Sequence, residues 1–350
     1  MRSKQIAINQ QITDAGRRKD IRSLRDAYTH AITPDPITGE VMADVMMLTS
    51  TIAAAGKCNA LNILYDAYTR ATTPDPITGK IMANVVTLNS AITAAGYCNA
   101  LNILHDAYTR AITPDPITGE VMADVVTLSS AITAAGKCNA LNILQAAYTC
   151  AITPDPITGK IMADEVTLNS AITAASYCND PKILRAAYTR ATTPHPITGE
   201  VMANAVMLNS AIIAAGKCND PNILYDAYTR ATTPHPITGK IVADVMMLNS
   251  VITAAGKCNA LNILQAAYTR ATTPDANGMV MADEVTFRVY KAAIEKMERA
   301  ALNGNGPNNQ VPQPNFFQSQ RLVVPNTPPP VQGPVSDIAR LFASEAPYKK

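Results

Sequence analysis

The feature that most constrains this chain is self-similarity at a fixed period. The segment DVVTLSSAITAAGKCNALNILQAAYTCAITPDPITGKIMAD at 124–164 recurs, with small changes, along most of the 350 residues. Cys58, Cys98, Cys138, Cys178, Cys218 and Cys258 fall 40 residues apart. Tyr28, Tyr68, Tyr108, Tyr148, Tyr188, Tyr228 and Tyr268 keep the same step. A period in the range of about 20–50 residues marks a stacked array of supersecondary units. Seven units follow: 5–44, 45–84, 85–124, 125–164, 165–204, 205–244 and 245–283. A half-unit at 284–299 closes the array, here taken as 5–299, and a tail occupies 300–350.

Each unit reads as two helices and a long turn. In the second copy Leu48, Ile52 and Ala55 share one helical face. Asp44 precedes them, where its carboxylate accepts an N–H left unpaired in the first turn. Gly56 and Asn59 mark the break. Leu61, Leu64, Tyr68 and Ala71 form a second apolar stripe, which stops before Thr73-Pro74. Asp180-Pro181 and Asp220-Pro221 start the same helix in later copies, with proline at the first helical position. One such pair cannot bury both of its faces, whereas stacked pairs can. The expected fold is therefore all-α: a right-handed superhelical α-solenoid of tandem helix-turn-helix repeats. The half-unit carries Arg288, Lys291, Glu295, Lys296, Glu298 and Arg299, the polar face of a cap.

Composition fits this plan. The chain is 47% hydrophobic but only 5% aromatic, without Trp, so its core rests on Ala, Leu, Ile, Val and Met. No run approaches the ~18 apolar residues of a membrane helix, and the N-terminus lacks a signal peptide's apolar centre. The expectation is a cytoplasmic protein with no membrane partner. The tail is rich in Asn, Gln and Pro and reads as disordered. Its segment Val335–Phe342 has the pattern of a short amphipathic helix suited to a protein partner.

Two ladders run along the array. Glu40, Lys80, Glu120, Lys160, Glu200 and Lys240 alternate in sign at one turn position, through pairing of neighbouring turns or through duplication of a double unit. The cysteines read as small buried side chains, because equivalent helices about 8–10 Å apart exceed the reach of a disulfide. Chemistry finds no support. Asp35, Asp75, Asp115 and Asp155 give way to His195 and His235 at the same turn position. Phosphate-loop, nucleophile-elbow and zinc-protease motifs are missing. No catalysis and no cofactor are expected.

The units resemble pentatricopeptide repeats. The likeness is carried by VVTLN at 85–89 and AGKC at 135–138, and it covers 5–299 in register. The chain departs from the family in its longer 40-residue period, with the extra residues in the ITPDPI turn. It also has Ala, as in Met42-Ala43-Asp44, where the family motif ends on proline, and its second helix lacks the family's acidic, Leu-Phe-rich run. The resemblance implies a binder of single-stranded RNA that reads one base per repeat, through a first-helix residue and the last residue of the motif. Carried over, the pairs are Asn9 with Asp44, Thr49 with Asn84, Asn89 with Asp124, and Ser129 with Asp164. They continue as Asn169 with Asn204, Asn209 with Asp244, and Asn249 with Asp283. By the family's rules these resemble readers of U, A, U, G, a pyrimidine, U and U. Ile6, Met46, Val86, Val126, Val166, Val206 and Met246 would pack against base faces. Lys57, Lys137, Lys217 and Lys257 hold the family's phosphate-contacting position, where Tyr97 and Tyr177 stand in two copies.

Another reading of these residues stays open. A terminal Asp or Asn is already explained as a helix cap, and a first-helix Asn series also suits a hydrogen-bonded ladder between helices. Residues 1–283 carry 21 Lys and Arg against 22 Asp and Glu, and 284–350 carry 8 against 5. That neutrality is unlike a typical basic nucleic-acid domain. The alternative function is a protein-interaction scaffold using the solenoid face or the tail, including the case of a bacterial effector.

Overall fold

A computed structural model describes residues 2–302, except 37–38, 76–80, 116–118, 120, 155–158, 160, 195–200, 235–240 and 276–277 within the turns. The sign-alternating ladder after Glu40 and the tail segment Val335–Phe342 lie outside the described residues. The described residues are all-α, in tandem helix pairs. The chain divides into two compact units, Met1–Ala203 and Asn204–Lys350.

The first unit holds five pairs: α1 (Arg2–Arg18) with α2 (Ile21–Ile32), α3 (Val45–Cys58) with α4 (Leu61–Thr72), α5 (Val85–Cys98) with α6 (Leu101–Ile112), α7 (Val125–Lys137) with α8 (Leu141–Ile152), and α9 (Glu165–Cys178) with α10 (Pro181–Thr192). The second holds α11 (Ala205–Cys218) with α12 (Pro221–Thr232), α13 (Val245–Cys258) with α14 (Leu261–Thr272), and the closing α15 (Glu284–Leu302). In the first unit α1, α3, α5, α7 and α9 pack side by side, each also against its own second helix. In the second unit α11, α13 and α15 stack in the same manner. Second helices touch the following first helix more sparingly, so the first helices form the spine of each unit.

Local sequence explains the boundaries. Asp44, Asn84, Asp124, Asp164, Asn204 and Asp244 each accept a backbone N–H at the start of a first helix. Asp283 does the same for α15 through Thr286 N at 2.8 Å. Asp20, Asp180 and Asp220 cap α2, α10 and α12, whereas Ala60, Ala100, Ala140 and Ala260 offer no side-chain cap. Asn59, Asn99, Asn139, Asn179, Asn219 and Asn259 adopt a left-handed conformation at the break, which Asn tolerates better than most residues.

Two expectations are corrected. Gly56 does not mark the break; it lies inside α3, where an added Cβ would sit 2.6 Å from Ala94 Cβ. The glycine is there for close approach of first helices, and Gly96 faces Ala134 in the same way. In α9 this register carries Ser176, whose Oγ donates to Thr173 O at 2.7 Å. Leu61 is 40% exposed, because the buried stripe of α4 runs through Ile63, Leu64, Ala67, Tyr68 and Ala71.

The six cysteines of the ladder sit as free thiols at the ends of the first helices, and of them only Cys58 is buried, the others being half-buried. Cys58, Cys98, Cys138, Cys178 and Cys258 each donate through Sγ to a carbonyl of the preceding repeat, at 3.5–3.8 Å. Burial pushes these thiols up, Cys258 to about 11, so they stay protonated at neutral pH. Among the described residues no group of three His, Cys, Asp or Glu is placed to hold a metal, and no helix is long and apolar enough to cross a membrane.

Candidate nucleic-acid interface

In each unit the first helices present a repeated surface. Ile6, Met46, Val86, Val126, Val166, Val206 and Met246, the second residues of the repeat motif, are 55–69% exposed. One unsupported aliphatic side chain on a protein surface needs no explanation, but the same position exposed in every copy is a pattern. The residues one and two positions further, such as Thr87 and Leu88 in α5 and Thr127 and Leu128 in α7, are buried, so the helix period itself turns the aliphatic outward.

Between successive aliphatics lie shallow grooves. One, of about 420 Å³, has Val86 and Val126 on its two sides with Asn89, Asp124 and Lys57 around it. The next, of about 410 Å³, has Val126 and Val166 with Ser129, Asp164 and Lys137. In the second unit a groove of about 250 Å³ is lined by Asn249, Lys257 and Val285 among others. A position-five residue, the cap of the following helix and a lysine thus share one depression in the first unit, the lysine preceding them as Lys57 or falling between them as Lys137. Lys57, Lys137, Lys217 and Lys257 are all exposed.

The polar pairs are joined in two ways. In α13, where the fifth residue is Asn, its amide reaches the next cap: Asn249 Nδ2 donates to Asp283 Oδ1 at 3.4 Å, and in α5 the Asn89 amide acts on Asp124 in the same sense. Where it bears a hydroxyl, a threonine intervenes. Thr49 Oγ1 lies 2.8 Å from Thr87 Oγ1, which donates to Asn84 Oδ1 at 3.1 Å. Ser129 Oγ lies 2.8 Å from Thr167 Oγ1, which donates to Asp164 Oδ1 at 2.7 Å. Asp44 and Asp244 cap α3 and α13 beyond Asn9 and Asn209; Asn169 lies in α9, and Asn204 caps α11 in the second unit. The bland ladder reading is therefore partly visible, since the fifth residue ties one repeat to the next.

These links set the electrostatics. Burial pushes the Asp124 carboxyl up, but hydrogen bonds from the Thr127 backbone and hydroxyl and from Asn89 outweigh it and hold it below the usual carboxylate range. Asp283 is held low by Thr286 in the same way. Both are anionic acceptors at neutral pH. The Oδ1 atoms of Asn9, Asn89, Asn169, Asn209 and Asn249 are buried without a hydrogen-bond partner.

Two features were not read from the sequence. Thr87 and Thr167 relay the hydroxyl copies to their caps; their recurrence three residues after each cap was the available signal. Tyr97, 56% exposed at a lysine position, carries Lys137 Nζ above its ring at 3.8 Å from the centroid.

The crystal structure of the pentatricopeptide repeat protein PPR10 from maize is similar to this chain, with a TM-score of 0.53 at 14% identity over 87% of it. The fold is that of the pentatricopeptide repeat. The chain spans 39% of that protein's length. A structure of PPR10 in complex with an 18-nt psaJ RNA element also matches, with a TM-score of 0.39 at 15% identity over 86% of this chain and 46% of that one. No family model matches the sequence, and neither does any curated protein.

Proposed function

We propose that this chain is a sequence-selective binder of single-stranded RNA, without enzymatic activity, acting in RNA processing, stability or translation. The observation that carries the reading is the exposed aliphatic at the second motif position of all seven repeats, interleaved with polar pairs. Apolar walls accept the two faces of a base, and a polar floor between them reads its edge. The assignments are Asn9 with Asp44, Thr49 with Asn84, Asn89 with Asp124, Ser129 with Asp164, Asn169 with Asn204, Asn209 with Asp244, and Asn249 with Asp283. The reading rests on the pentatricopeptide resemblance and on grooves that bring such residues together in the first unit.

Charge bears on how binding works. An almost neutral array releases few counterions, so most of the affinity comes from base contacts and the salt dependence is shallow. The same neutrality favours a second reading, a scaffold for a protein partner. Fluorescence anisotropy with labelled oligonucleotides separates them. A uracil-rich single strand is expected to bind better than poly(C) or a duplex, and Asn89→Ala to weaken it. Equally undetectable binding of every RNA at low salt, with a protein partner retained after nuclease treatment, would establish the scaffold instead.

A further inference from the structure

We infer that Tyr97 is a positioning residue for an RNA phosphate contact: its ring holds the Lys137 ammonium on the wall shared by two neighbouring grooves. This rests on the RNA-binding reading above and deepens it at one place.

Tyr97 stands in α5 at the position where other copies carry lysine, so the substitution removes a cation from the surface. Its side chain is nevertheless 56% exposed, which nothing in the core requires of an aromatic residue. It lines both the groove flanked by Val86 and Val126 and the groove flanked by Val126 and Val166. Lys137, one repeat on, belongs to the second of these and lies with Nζ 3.8 Å from the Tyr97 centroid. A lysine otherwise spends its freedom over many rotamers on a four-carbon stem. Over an aromatic face the ammonium is attracted by the ring quadrupole, and the face can satisfy only one side of the cation. Donors on the remaining side stay available to a phosphate oxygen. One ring and one cation thus replace two mobile lysines, with less ordering left to be done when RNA arrives. The sequence repeats the step 80 residues on, with Tyr177 and Lys217.

The test compares wild type, Tyr97→Phe, Tyr97→Ala and Lys137→Ala, using a uracil-rich single-stranded oligonucleotide across a salt series. Tyr97→Phe keeps the ring and should bind as wild type. Lys137→Ala should weaken binding and lower the salt slope by about 0.7. Tyr97→Ala should weaken it about 3- to 10-fold and lower the slope as well, although tyrosine carries no charge. A readout without RNA accompanies this: in protein labelled with ¹³C-lysine, the Lys137 ε-methylene should be ring-shifted upfield in wild type and Tyr97→Phe, and unshifted in Tyr97→Ala. Unchanged affinity and slope in Tyr97→Ala, in a protein whose wild type binds RNA, would overturn the inference and leave the RNA reading standing. No binding by wild type would overturn both.

Discussion

Tyr68 in α4 donates a 2.6 Å hydrogen bond to Asp106 in α6, one repeat further along the chain. Tyr28 and Asp66 make the same bond at 2.6 Å, and each carboxylate also receives the arginine four residues after it, Arg70 or Arg110. Burial, then the Asp partner, pushes both phenols far above their ordinary range, so they remain donors at any accessible pH. The bond is a tie between second helices, which otherwise meet the next repeat only sparingly. Tyr68→Phe is expected to cost about 1–2 kcal/mol, since the acceptor is charged and part-buried. Tyr108→Phe should cost less, because the next repeat offers Ala146 in place of the aspartate. Urea denaturation of the single variants and of the Tyr68→Phe, Asp106→Asn double variant measures the coupling.

The same carboxylates set an acid limit. Burial pushes Asp66 and Asp106 up, but the Tyr and Arg hydrogen bonds and the Arg charge leave both below the usual range. A lowered native value means stability that is fully present above the unfolded value near pH 4 and is lost as pH falls through the native value. Denaturation midpoints should therefore drop as pH falls below about 4. The drop should be smaller in an Asp66→Asn, Asp106→Asn variant.

Close approach of first helices is tested by Gly96→Ala. The new Cβ would meet Ala134 Cα at 2.9 Å, and backbone cannot yield as a side-chain tip can. Overpacking of this kind costs about 1–3 kcal/mol, although alanine is the better helix former. A raised thermal midpoint would show that the spine has slack.

Base preference follows the fifth position. By the family's pattern Ser129 with Asp164 resembles a reader of G, and Asn with Asp a reader of U. Ser129→Asn should therefore move the preference at that register from G to U. Competition among oligonucleotides that differ at one base reads the switch, and an unchanged order would count against the pairing.

The thiols give a chemical check on the junctions. With Cys258 pushed up to about 11 by burial, little thiolate exists at neutral pH. Iodoacetamide should label the native chain far more slowly than the unfolded chain. Rapid native labelling of Cys258 would show that α13 opens at its end.

Much of the fold was legible because the period, the caps and the proline-delimited helix ends are local signals. Asp44 and Asp180 could be assigned as caps from their neighbours alone. Gly56 misled for a physical reason: a glycine reads locally as a breaker, whereas its cause is Ala94, 38 residues away in the next first helix. Leu61 shares the spacing of the stripe but begins the helix, at the edge of what the neighbouring helix covers. The link from Tyr68 to Asp106 was hidden because an aspartate four residues before an arginine, as Asp106 is before Arg110, looks like that arginine's intrahelical partner. At the site, the exposed aliphatics were named through the family resemblance, since an outward valine is not a signal in one sequence. The joining of Asn89 to Asp124 needed two helices in place.

The uneven capping of the second helices has a kinetic consequence. α2, α10 and α12 begin on aspartates that bind the first-turn amides, while α4, α6, α8 and α14 begin on alanine. A cap of this kind is worth about 1 kcal/mol, several-fold in the population of a frayed first turn. Seven near-copies of one sequence therefore do not breathe alike. In hydrogen exchange, amides at the starts of α4, α6, α8 and α14 should trade with solvent first, so that loosening enters the array at intervals set by single residues.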